Sequence, residues 1–201
     1  MTAGIDDAAG GSAAQSRAPE EHTTFRLAQL VILLGEVAPA GGRTIDLETL
    51  GYYDFFAANP FVIVDQEDTR DRARLHQAAF DERQLTYASS GSRFANRRKR
   101  LQHDCALLVA YGLAERRSDG YGQTDRGSEF VEGLTALYVD QYCESVTVVH
   151  ARLKSLSASA LARQAREWLK TPSLVLDMFG SIEQPDAESP FTLSDRHGEA
   201  Q

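Results

Sequence analysis

Five basic side chains fall close together in the sequence: Arg93, Arg97, Arg98, Lys99 and Arg100. They lie in the first turns of a predicted helix, where side-chain cations and helix N-terminal N–H groups together suit phosphate. Arg116 and Arg117 follow on a predicted hairpin, and Arg126 just after it, where they would add backbone contacts to the same ligand. Two other outcomes fit the same residues. The run could dock an acidic partner protein, or it could be a solvated face that balances the surrounding acids.

The aromatic cluster Tyr52-Tyr53-Asp54-Phe55-Phe56 covers more than one side of a helix. Packing in the core is the first expectation; rings left outside would anchor an interface. Tyr52, Tyr53 and Phe56, with Tyr138, Tyr142 and Trp168 further along the chain, are therefore the interface candidates. Catalytic and metal constellations are missing. His22, His76, His103 and His150 are scattered, and His103 and Asp104, adjacent in sequence, point to different sides of a helix. Cys105 and Cys143 have no second Cys or close His at a ligand spacing, so buried free thiols are expected. There is no zincin motif, no phosphate loop with its Lys, and no nucleophile elbow. The expectation is a protein without enzymatic activity, metal or cofactor.

The elements that must hold these residues come from a chain of 201 residues that is 42% apolar. That is enough for one real core with a helical appendage. No apolar run approaches the roughly 20 residues of a membrane helix, and no export signal appears, so a cytoplasmic protein with no membrane contact is expected. The net charge of −8 argues against broad coating of nucleic acid but leaves room for a local basic patch. Residues 1–22 are poor in large apolar side chains and 181–201 are acidic and polar; both are expected to be disordered tails.

Between the tails, residues 23–125 and 126–180 read as a body and a helical segment. Leu27, Leu30, Val31 and Leu34 recur at helical spacing over about 24–37. Thr44 is a candidate cap for a second helix, which Asn59-Pro60 ends. Phe61-Val62-Ile63-Val64 is β-branched and suggests a short strand, and a helix is expected near 70–82. Phe94, Leu101, Cys105 and Leu108 share one face of the basic helix, which Gly112 ends. Residues 113–117 and 121–123 then flank Ser118-Asp119-Gly120, a hairpin signal. Thr124 caps a helix expected to run unbroken from 126 to 154, and its apolar residues on more than one side suggest a partner helix, in this chain or in a homodimer. After a break at 155–157, Leu161, Ala165 and Trp168 mark a last packing helix, ended by Thr171-Pro172.

Helix, Gly, strand, tight turn, strand, Thr cap, helix is the order of the back half of a winged helix. The predicted class is mainly α: a winged-helix domain with a small β-hairpin wing, a long C-terminal helix and a packing helix. One feature departs from a simple helix-turn-helix, whose two helices are joined by roughly 3–4 residues. Here the helix ending at Asn59 and the helix after Ser92 are far apart.

The stretch RLAQLVILLGEVAPAGGRTIDLETLGYYDFFAANP, with its aromatic-Asp-Phe motif Tyr53-Asp54-Phe55, resembles the opening of the middle component of ABC-three-component systems. The stretch RRKRLQHDCALLVAYGLAERRSDGYGQTDRGSEFVEGL is similar to that family's second half. The resemblance covers roughly residues 24–170 and rests on short, structural motifs. It implies an accessory subunit beside an ABC/SMC-like ATPase and a third, effector-type component, in bacterial defence against mobile elements. It implies no catalytic residues. The rival expectation is a dimeric winged-helix transcription regulator, which would need Arg97, Arg98 and Arg100 free to meet DNA.

Overall fold

The computed structural model describes residues 22–82 and 89–169. Both expected tails and the Thr171-Pro172 helix end lie outside the described residues, apart from His22, which precedes the first helix. Seven helices and one hairpin follow in the order α1 (Thr23–Val37), α2 (Leu47–Ala58), a 3-10 turn (Pro60–Val62), α3 (Thr69–Gln77), α4 (Ser90–Ala110), β1 (Ala114–Arg117), β2 (Gly120–Gln123), α5 (Asp125–Glu132), α6 (Leu137–Leu153) and α7 (Ala158–Leu169). The fold is mainly helical with a small two-stranded antiparallel sheet. Among the described residues no helix is long and apolar enough to cross a membrane.

α1 is the central element. Leu30, Val31, Ile32, Leu33 and Leu34 are all buried, so the helix is covered on every side rather than along the one stripe its periodicity predicts. It packs against α2, α4, α5, α6 and β2. α2 is equally enclosed from Gly51 to Ala57. Its cap is Asp46, whose carboxylate accepts from the Thr49 N–H at 2.8 Å, and not the expected Thr44. Thr44 stands too far ahead to reach the first turn, because Ile45 is extended and pairs with Tyr121 through two hydrogen bonds of 2.9 Å.

That bridge adds a third extended segment to the hairpin. β1 and β2 pair from Ala114 opposite Gln123 to Arg117 opposite Gly120, which leaves Ser118-Asp119 as a two-residue loop. Gly120 is therefore the first residue of β2 and not part of the loop. α4 ends at Gly112, whose φ of +72° suits glycine, and the Leu113 N–H returns to the Leu108 carbonyl. Thr124 caps α5 as expected: its hydroxyl oxygen accepts from the Gly127 N–H at 3.1 Å and donates to the Gly112 carbonyl at 2.6 Å.

Three further expectations fail in whole or in part. Phe61–Val64 is not a strand. Proline at the start of the segment favours a helical turn, and the Ile63 and Val64 N–H groups bond the Pro60 carbonyl while Ile63 and Val64 fill the core. The helix expected from 126 to 154 is two helices. α5 stops at Gly133, the Leu134 N–H makes a tighter bond to Val131, and Ala136 is extended before α6 begins. The helix expected near 70–82 is shorter, because Ala79 takes a positive φ of 58° just after α3.

α3 fills the long gap between α2 and α4. Arg152 of α6 reaches Asp68 at 2.6 Å and Asp71 at 2.8 Å, and Arg74 pairs with Glu144. α6 also lies along α1 and α2, where Ser145 donates to the Ala57 carbonyl at 2.7 Å. α7 closes the far side through Leu161, Ala165 and Leu169.

A Cβ on Gly120 would lie 2.2 Å from the Ile45 carbonyl oxygen, at a φ of +151°. Gly120→Ala is expected to force Ile45 off the hairpin and destabilise the protein by about 1–3 kcal/mol. A lowered urea midpoint checks this; an unchanged midpoint would mean that the Ile45 bridge does not hold in solution.

Candidate docking cleft on the basic helix

α4 distributes its basic run over two sides. Arg93, Arg97 and Arg100 recur at the 4 and 3 spacing that places them on one stripe, and all three line a cleft of about 480 Å³. Arg98 points elsewhere, 6.0 Å over the Phe94 ring, and Lys99 is exposed.

Arg97 is not available to a partner. Its side chain is 16% exposed and forms a two-point ion pair with Asp54 of α2, whose side chain is 5% exposed. The same guanidinium donates to Gln29 of α1 at 2.8 Å, and the Gln29 amide donates to the Tyr138 oxygen of α6 at 2.6 Å. Burial alone would lower the Arg97 pKa, but the Asp54 charge and hydrogen bonds outweigh it and the value is raised. None of the three outcomes expected for the basic run has Arg97 engaged within the protein, as it is here. A second pair sits about two turns further along α4: Arg26 donates to Asp104 at 2.7 and 2.9 Å, with both residues buried. The Asp104 hydrogen bond raises the Arg26 pKa.

The remaining candidates separate by burial. Tyr52 (3% exposed), Tyr53 (5%), Phe56 (0%) and Tyr142 (0%) are core residues and not interface anchors. Tyr52 stacks on Phe94 at 5.4 Å, and burial pushes the Tyr53 hydroxyl up to about 12. Trp168 is half-buried with its ring edge-on to Phe56. Tyr138 reaches the surface at the cleft rim, 4.8 Å from the Phe25 ring and stacked on Tyr142. On the hairpin, Arg116 lies over the Tyr121 ring, while Arg117 pairs with Glu115 and donates to the Gly42 carbonyl. Arg126 is exposed.

Apolar side chains are also exposed at the α5–α6 corner, of which the sequence analysis named only Tyr138. Leu137 is 72% exposed, with Phe130 and Tyr138 also at the surface. Cys105 is buried and its thiol is pushed up to about 12 by that burial, so it is chemically quiet. Among the described residues no group of three or more His, Cys, Asp or Glu side chains is placed to hold a metal.

No protein-family model, curated protein or solved structure matches the chain.

Four buried polar partners escaped the sequence reading: Gln29, Asp54 as a counter-ion, and the pair Arg26–Asp104. A signal was present for Arg26, Gln29 and Asp54, each set among apolar neighbours on a helix, where a polar side chain must find a partner. Asp54→Ala is expected to destabilise the protein by about 3–5 kcal/mol, because it leaves Arg97 buried and uncompensated. The double change Asp54→Leu with Arg97→Met should recover most of that loss. Urea unfolding of the single and double variants measures it, and strictly additive effects would show that the two side chains do not interact.

Proposed function

We propose that the protein is a winged-helix accessory subunit that works by docking other proteins, without catalysis. In this reading it bridges an ABC/SMC-like ATPase and an effector-type third component of a bacterial defence system. The observation that carries the docking role is the α5–α6 corner. Leu137, Phe130 and Tyr138 expose apolar surface that a protein partner would cover and a phosphate backbone would not. The winged-helix assignment rests on the order α4, Gly112, hairpin, capped α5, and on the Ile45 segment lying against the hairpin. The family resemblance supplies the ATPase and the third component as the partners. Its two quoted stretches meet inside the fold, since Asp54 of the aromatic motif pairs with Arg97 of the basic stretch.

A second reading, a dimeric DNA-binding regulator, is favoured by one observation. The outer face of α4 exposes Lys99, Gln102 and His103, and the helix's single acid, Asp104, is buried. Amides and cations on a convex helix suit a major groove. Against this, Arg97 is engaged by Asp54 and is withheld from any such contact.

The two readings part in one experiment. Leu137→Glu with Phe130→Glu alters only exposed side chains and should leave the circular dichroism and melting temperature near wild type. Co-purification with an ABC/SMC-like ATPase from the same cells should be lost. Retained co-purification, together with tight duplex binding by the wild type that weakens steeply with salt and vanishes in Lys99→Glu, would establish the regulator instead.

A further inference from the structure

We infer that the partner segment seated on the α5–α6 corner is basic: an apolar strip of another protein, flanked by lysines or arginines. The inference rests on the docking role proposed above and names the chemistry of what docks.

Helical spacing lays out the corner. On α5, Arg126, Glu129 and Phe130 recur at 3 and 4 and share the outward stripe, while Gly127 is buried against the Leu113 carbonyl. On α6, Leu137 and Asp140 stand in the same relation, and both are exposed. From Glu129 to Tyr138 only Val131 and Leu134 turn partly inward. Phe130 and Leu137, 41% and 72% exposed, are thus the apolar ends of one uncovered stretch of chain.

The charges beside them are almost all of one sign. Between 125 and 140 the charged side chains are Asp125, Arg126, Glu129, Glu132 and Asp140, and all are exposed. The one cation, Arg126, lays its guanidinium beside Gly112, ahead of the hairpin. None of the four acids forms an ion pair among the described residues. Glu144, further along α6, differs in being held by Arg74. Acids left without counter-ions around apolar side chains complement a partner that carries cations around its own apolar strip.

The same charges disfavour the other occupants. Nucleic acid and the anionic surface of a membrane would be repelled. A second copy docked corner to corner about a two-fold axis would set each acidic rim against its own image.

Two synthetic amphipathic helical peptides test the inference by fluorescence anisotropy with the full chain. One carries leucines along one face flanked by lysines. The other has the same leucines flanked by glutamates. The lysine peptide should bind with a Kd of about 100 μM or below, and the glutamate peptide at least roughly tenfold more weakly. Phe130→Ser with Leu137→Ser, which adds no charge, should weaken the lysine peptide by about tenfold or more. Glu129→Lys with Glu132→Lys should weaken it similarly and strengthen the glutamate peptide, an exchange that loss of structure would not produce.

Asp65→Lys with Glu67→Lys is the control for net charge. These exposed acids adjoin Asp68, which pairs with Arg152 at the far end of α6. The helix between Leu137 and Arg152, roughly 22 Å at the helical rise, exceeds the Debye length of about 8 Å at physiological salt. The control should leave both affinities unchanged.

Equal binding of the two peptides would overturn the inference, and so would binding of neither. A control variant that weakens the lysine peptide as much as the corner variant does would also overturn it, since binding would then follow net charge alone. Self-association of the wild type that the serine variant abolishes would assign the face to a second copy instead. Glutamate-peptide binding that the serine variant abolishes would reverse the partner's charge and leave the docking role standing. Unaltered co-purification of the ATPase by Leu137→Glu with Phe130→Glu would remove the docking role itself.

Discussion

The ion pair between Asp54 and Arg97 joins elements that no local signal would bring together. Asp54 belongs to α2 and Arg97 to α4; Gln29 of α1 and Tyr138 of α6 complete the chain of hydrogen bonds. Four helices thus share one polar junction within an otherwise apolar core. A buried pair of this kind adds little net stability, because desolvating both charges offsets their attraction. Its effect is on geometry. Any rotation of α4 that left Arg97 without Asp54 would bury a lone charge, so one rotational setting of the helix is selected. Arg26 and Asp104 impose the same setting a turn or two further along.

That setting divides the basic run. With Arg97 turned inward, Arg93 and Arg100 follow it to the cleft, Arg98 lies on Phe94, and Lys99 faces solvent. Three arginines of the basic run line the cleft beside the Phe25, Phe80 and Tyr138 rings, and apolar side chains are left at the α5–α6 corner. Two chemically different surfaces result: an arginine-lined recess and an apolar corner suited to another protein.

Elements set by local punctuation were legible in the sequence. Gly112, the Ser118-Asp119 loop and the Thr124 cap act within a few residues of themselves, and the hairpin and the start of α5 follow from them. Elements set by distant partners were not. Ile45 is extended because Tyr121 pairs with it, and nothing near residue 45 announces this; the nearer hydroxyl of Thr44 was taken for the cap in place of Asp46. The apolar run Phe61–Val64 fitted a strand by composition, yet it has no neighbour to pair with and coils into a turn beneath α6. The candidate site was legible as a list of cations but not as a cavity. Which arginine faces inward depends on an acid in another helix.

The bridge between Ile45 and Tyr121 carries a consequence for the order of assembly. The hairpin itself closes through a two-residue loop, a local contact that forms within microseconds (on the order of 1–10 μs). Its third segment arrives from the other end of the body, across α2, α3 and α4, and cannot seat until those helices have drawn residue 45 to the sheet. The hairpin therefore has a local half and a non-local half, and the second reports on the completion of everything folded between them. The residue after Ile45 is Asp46, the cap of α2. Movement of the hairpin, by a ligand or a partner pressing on it, is thereby transmitted directly to the first turn of the helix that holds Asp54.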